Sequence, residues 1–115
     1  MIPLQTQEQF EGLLDKEANK PNAVPKNSGE VPIKVAVYFT AAWCGACKRL
    51  DWDAIHAATP DIVWYKCDVD ENNYTLGYCG LKSMPSFAFI KGGKFLGTEA
   101  SSNTQKVIES IRAVF

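Results

Sequence analysis

The sequence predicts an α/β fold, a central mixed β-sheet flanked by helices on both faces. Short apolar runs rich in β-branched and aromatic residues alternate with segments of helical period, the order that builds parallel strands. Near the C-terminus the alternation gives way to two strands joined by only two residues, which adds an antiparallel pair. Between the first central strand and the next helix stands Trp43-Cys44-Gly45-Ala46-Cys47, placing two thiols where a strand becomes a helix.

A short first strand is followed by Thr6-Gln7-Glu8-Gln9-Phe10, a capping-box pattern in which Thr6 and Gln9 each satisfy an orphan amide. Phe10, Leu13 and Leu14 form the apolar face of that helix, and Pro21 stops it. From Lys20 to Pro32 the prolines, asparagines, Ser28 and Gly29 suit an exposed loop inside one domain spanning residues 1–115. Ile33 to Phe39 reads as a buried strand, and Cys47-Lys48-Arg49-Leu50 opens a helix running to about His56, ahead of Pro60. Asp61 to Val69 supplies the next strand; its continuous run Ile62-Val63-Trp64-Tyr65 predicts cover on both faces. A short helix or turn from Glu71 to Cys79 leads to Ser86–Ile90 and Lys94–Gly97, which flank Gly92-Gly93 as a hairpin. Ser102-Asn103-Thr104-Gln105 reads as a second capping box, and Val107, Ile108, Ile111, Val114 and Phe115 keep helical period to the end.

With 115 residues, 46% of them apolar and 22% charged, the chain can bury a core as one domain without metal or disulfide support. A formal charge of −1 gives no reason to expect nucleic acid or an anionic membrane surface as partner. No run approaches the length that spans a bilayer, and Met1-Ile2-Pro3-Leu4-Gln5 is not the start of a secretory signal, so a cytoplasmic protein is expected. In that reducing compartment a CxxC is catalytic or metal-binding rather than a structural staple.

The spacing itself points to thiol chemistry. A cysteine at a helix N-terminus faces unpaired amides that favour the thiolate, the reactive species. A structural zinc site would need a second close pair, which Cys67 and Cys79 do not form, so no metal is expected. Cys67 alternates with Tyr65 and Val69 inside a strand and reads as a small buried hydrophobe. Cys79, at the end of a short helix, is the better placed of the two for exposure, with an inert thiol the simpler reading. His56 lies nine residues beyond Cys47, which disfavours a Cys-His hydrolase and leaves it on a solvated helix surface. Trp52 and Trp64 read as packing residues, and Lys48, Arg49, Asp51 and Asp53 as a solvated helix face.

Val37-Tyr38-Phe39-Thr40-Ala41-Ala42-Trp43-Cys44-Gly45-Ala46-Cys47-Lys48, Lys66-Cys67-Asp68-Val69-Asp70-Glu71-Asn72 and Lys82-Ser83-Met84-Pro85-Ser86-Phe87 together resemble the thioredoxin family. The resemblance implies the thioredoxin fold and a protein-disulfide reductase: Cys44 attacks a substrate disulfide and Cys47, more buried, resolves the mixed disulfide. Trp43, Met84 and Pro85 would shape the substrate groove, with Met84-Pro85 as the family's cis-proline turn, and Gly45, Ala46 and Lys66 would support the site. It also implies no bound organic cofactor, disulfide-containing proteins as substrates, and electrons from an NADPH-dependent flavoprotein of the thioredoxin reductase type.

Two positions depart from the family pattern. Tyr38 stands where thioredoxins carry a buried Asp that helps move the resolving cysteine's proton, and the Tyr-Phe pair is more like tryparedoxins and nucleoredoxins. Proton transfer through water is the expectation. Ala46 replaces the proline between the cysteines, which changes local rigidity and the amides facing Cys44. A potential less reducing than thioredoxin's value of about −270 mV is therefore expected. Two other readings stand beside reduction: an oxidase or isomerase on the same fold, and a binding or chaperone module whose thiols are incidental.

Overall fold

The computed structural model describes residues 1–15 and 33–115. The loop expected from Lys20 to Pro32 and the stop at Pro21 lie outside the described residues. Among these, five strands form one mixed sheet in the order β1-β3-β2-β4-β5. The strands are β1 (Ile2–Pro3), β2 (Lys34–Thr40), β3 (Ile62–Asp68), β4 (Ser86–Lys91) and β5 (Lys94–Ala100). The helices are α1 (Gln7–Glu11), α2 (Trp52–Ala58), α3 (Asn73–Tyr78) and α4 (Thr104–Val114).

β2 is the centre of the sheet, parallel to β3 from Lys34↔Ile62 to Thr40↔Asp68 and antiparallel to β4 from Lys34↔Lys91 to Phe39↔Ser86. Every residue from Val35 to Thr40 is buried, because both faces of this strand are covered. Alternation along the strands sends Tyr38, Trp64 and Phe87 to one face, where Trp52 of α2 packs on all three rings. Val37, Phe39 and Cys67 point to the other, with α1 and α3 packed together beyond them. Phe10 anchors α1 with no exposure at all, and the capping box forms as expected, Gln9 N donating to Thr6 Oγ1 at 3.2 Å and Thr6 N to Gln9 Oε1 at 3.0 Å.

The hairpin forms on Gly92 and Gly93, whose φ values of 58° and 81° are those of a two-residue turn with both centres left-handed. Met84-Pro85 is cis. Ser86 Oγ donates to the Ser83 carbonyl and closes the turn before β4.

Three local expectations are corrected. The helix expected from Cys47 to His56 is broken: Ala46–Arg49 is a 3₁₀ turn, Leu50 is extended at φ −75° and ψ 131°, and α2 starts afresh at Trp52. Asp51 causes the break, since its carboxylate accepts from Ala54 N at 3.1 Å and caps the new helix. Asn103, not Ser102, caps α4, accepting from Lys106 N at 3.0 Å, so no second capping box forms. Val63 is 37% exposed, so the face expected to be covered along this run is open at that residue.

Candidate redox site

The site is built where β2 ends. After Thr40 the chain turns, with Cys44 N donating to the Ala41 carbonyl at 3.0 Å, and Cys44 and Cys47 are joined by a disulfide with Cα atoms 5.4 Å apart. The 3₁₀ turn then begins, Lys48 N donating to the Gly45 carbonyl at 3.2 Å. A four-residue turn carries a far smaller dipole than the helix expected here. A direct contact takes its place: Cys47 N donates to Cys44 Sγ at 3.1 Å, which favours negative charge on that sulfur once the bridge opens.

Burial does not separate the two sulfurs as expected. Cys44 is 5% and Cys47 6% exposed, because the closed bridge tucks both beneath the turn. What distinguishes them is the amide aimed at Cys44. Trp43 is 65% exposed beside the bridge, its Nε1 donating to Asp70 Oδ2 at 3.0 Å, while Asp70 N is held by Asp68 Oδ1 at 2.9 Å. Gly45 is exposed with no atom within 4 Å of where a Cβ would be, so space does not require glycine there. Ala46 packs half-buried against the core.

An open cleft of about 470 Å³ runs beside the bridge. Cys44, Cys47, Lys48, Leu50 and Trp52 line it together with Met1, Tyr38, Thr40 and Lys66. Lys66 is the register partner of Tyr38 across β2 and β3, which is why both reach this cleft. Among the described residues lining it there is no Asp, Glu or His. Tyr38 is 4% exposed, its ring stacked 5.6 Å from Phe87 and 4.6 Å from Trp52, and its hydroxyl donates to Thr40 Oγ1 at 3.2 Å.

Trp43, Met84 and Pro85 do not line the cleft. Pro85 is buried and Met84 half-buried at the same end of the sheet, since Ser86 pairs with Phe39 and the preceding proline falls opposite Thr40. Cys67 is buried as expected, its thiol donating to the Asn72 carbonyl at 3.5 Å, and Cys79 is half-buried rather than exposed. Burial pushes both thiols up to about 12, with the neighbouring Cys79, Asp68 and Glu71 adding to the effect at Cys67. His56 is on the surface as expected, with its ring against Trp52 at 5.3 Å.

Sequence reasoning missed Thr40 and Trp52 as cleft residues and Asp70 as the partner of Trp43. The i, i+2 spacing of Tyr38 and Thr40 held a signal for the first; nothing local marked the other two. Among the described residues no cluster of three or more His, Cys, Asp or Glu side chains is placed to hold a metal ion, and no helix is long and apolar enough to cross a membrane.

Comparison with known proteins places this geometry. The Thioredoxin family model matches residues 6–113. A thioredoxin of Geodia cydonium is 44% identical over 64 residues, 54% of this chain and 60% of that protein, so the match spans less than two thirds of that relative. Thioredoxin of Gallus gallus is 33% identical over 82 residues, 70% of this chain and 78% of the relative. The crystal structure of oxidised mitochondrial thioredoxin 3 from Saccharomyces cerevisiae superposes with a TM-score of 0.76 at 26% identity, covering 98% of this chain and 94% of that one. With the strand order, the bridged CxxC and the cis-proline already in place, the chain belongs to the thioredoxin family and is a protein-disulfide reductase that works by dithiol–disulfide exchange at Cys44 and Cys47.

Proposed function

We propose that Cys44 is the attacking thiol, Cys47 the resolving thiol, and that the pair is kept reduced by an NADPH-dependent flavoprotein of the thioredoxin reductase type in the cytoplasm. The Cys44 thiolate attacks one sulfur of a substrate protein's disulfide; a Cys44–substrate bond forms and the other substrate sulfur leaves as a thiolate. Cys47 then attacks Cys44, the internal bridge closes, and the second substrate sulfur is released. Two electrons pass from the dithiol to the substrate, and protons reach the departing thiolates from water. The observation that carries this order is the Cys47 amide directed at Cys44 Sγ, a donor that favours the thiolate at Cys44 and not at Cys47.

Trp43, exposed beside the bridge, and the backbone at Met84-Pro85 lie outside the cleft and would contact the substrate chain from its surroundings. Gly45 and Ala46 set the turn between the sulfurs, and Lys66 supplies positive charge at the cleft. Cys67 and Cys79 remain unbridged thiols, which suits a reducing compartment.

The test is a coupled assay with NADPH, a flavoprotein thioredoxin reductase and insulin as the disulfide substrate. The expected result is NADPH consumption that depends on this protein and is lost in Cys44→Ser. Insulin reduction with dithiothreitol but none with the flavoprotein would contradict the proposed donor. No reduction with either would favour the binding-module reading.

A further inference from the structure

The resolving cysteine must lose a proton before it attacks, yet Cys47 is 6% exposed and, among the described residues, no carboxylate or imidazole lines the cleft beside it. What the cleft does hold is a buried pair of hydroxyls. Tyr38 OH donates to Thr40 Oγ1, and the two residues are 4% and 8% exposed. Because Thr40 accepts from Tyr38, its own proton remains to be donated, and Thr40 lines the cleft together with Cys44 and Cys47. The tyrosine ring is clamped between Trp52 and Phe87, which fixes where its hydroxyl points.

We propose that Thr40, oriented by Tyr38, donates a hydrogen bond to the Cys47 thiolate as it forms, so that a hydroxyl pair promotes the resolving step. The inference rests on the exchange order given above. In the step the Cys47 S–H proton passes to water in the open cleft; the thiolate electron pair forms the bond to Cys44 Sγ, and the Cys44–substrate bond breaks onto the leaving sulfur. A donor to the charged form lowers the cost of ionising a buried thiol. Both residues are positioning residues and exchange no atoms with the substrate. The charged groups on residues lining this space are Lys48 from the turn, Lys66 from β3 and the α-amino group of Met1. Asp68, the register partner of Thr40, stands alongside with Oδ1 accepting from Asp70 N.

Rapid mixing of the reduced protein with the chromogenic disulfide 5,5′-dithiobis(2-nitrobenzoate) separates the two steps, since attack by Cys44 releases one coloured thiolate and resolution by Cys47 a second. Followed from pH 5 to 9, Tyr38→Phe and Thr40→Val should each move the inflection of the second phase up by about one unit and slow it about tenfold at pH 7. The first phase should keep its profile. Thr40→Ser, which retains the hydroxyl, should keep the wild-type second phase, a result that loss of packing alone would not give. The double variant should be no slower than Thr40→Val. Second-phase profiles unchanged in Tyr38→Phe and Thr40→Val would overturn the inference, as would an equal shift in Asp68→Asn, which would assign the effect to that carboxylate. A wild-type protein that releases only one thiolate would instead overturn the two-cysteine order on which the inference rests.

Discussion

At the scale of single residues, the four cysteines divide by what surrounds their sulfurs. Cys44 and Cys47 share a bridge against an open cleft, while Cys67 and Cys79 are held at about 12 by burial. With the bridge closed, alkylation of the native protein at pH 8 should therefore run at least about a hundredfold slower than in denaturant, because the thiolate is the reacting species. Quantitative mass spectrometry of the iodoacetamide-treated protein checks this, and fast labelling of Cys79 would contradict it. Ala46 opens the 3₁₀ turn, a position where proline's missing amide and fixed φ are accommodated. Ala46→Pro should fold normally and make the pair more reducing by roughly 30 mV, as read by glutathione titration. An unchanged or higher potential would separate the dipeptide from the redox poise.

At the scale of elements, the sequence was legible where one residue type has one structural use. Gly92-Gly93 announced the hairpin because adjacent left-handed centres exclude most other residues, and Thr6 with Gln9 announced α1 because their side chains complete each other's hydrogen bonds. Asp51 misled because a short acidic side chain serves equally on a helix surface or as a cap. Only Thr104, whose hydroxyl accepts from Asp51 N at 2.9 Å across 53 positions, completes the setting in which the cap prevails. Asp51→Ala should accordingly cost about 1 kcal/mol in urea unfolding. Gly93 tests the hairpin more severely. A Cβ there would lie 2.5 Å from Asp15 Cβ, at a φ of 81° that side chains resist, so Gly93→Ala should destabilise by at least about 1–2 kcal/mol. A loss below 0.5 kcal/mol on the same roughly 1 kcal/mol scale would show that the turn yields.

At the scale of the whole molecule, the mixed sheet with helices on both faces and the redox pair of cysteines could be read from three separated motifs, but the lateral order of the strands and the shape of the site could not. The cleft exists because β2 and β3 run in register, bringing Tyr38 beside Lys66, and because α2 restarts late enough to lay Trp52 across the tyrosine. Trp43 and Asp70 meet over 27 positions, a pairing that only the folded chain expresses. Burial of two thiols also gives the fold a pH dependence. The native thiols hold their protons up to about 12, whereas those of the unfolded chain ionise near the ordinary value of 9.0. The unfolded state thus binds fewer protons between these values, so this contribution to stability is full below about pH 8 and declines as pH rises toward 12. Urea midpoints of the oxidised protein should fall from pH 7 to pH 10, and fall less in Cys79→Ala.

The most direct test of a reducing dithiol at Cys44 and Cys47 is the midpoint potential of that pair, titrated against glutathione and followed by tryptophan fluorescence with Cys44→Ser as control. A reversible two-electron transition a few tens of millivolts above about −270 mV, absent from the variant, is expected. A midpoint at or above roughly −200 mV, or no transition that the variant abolishes, would contradict it.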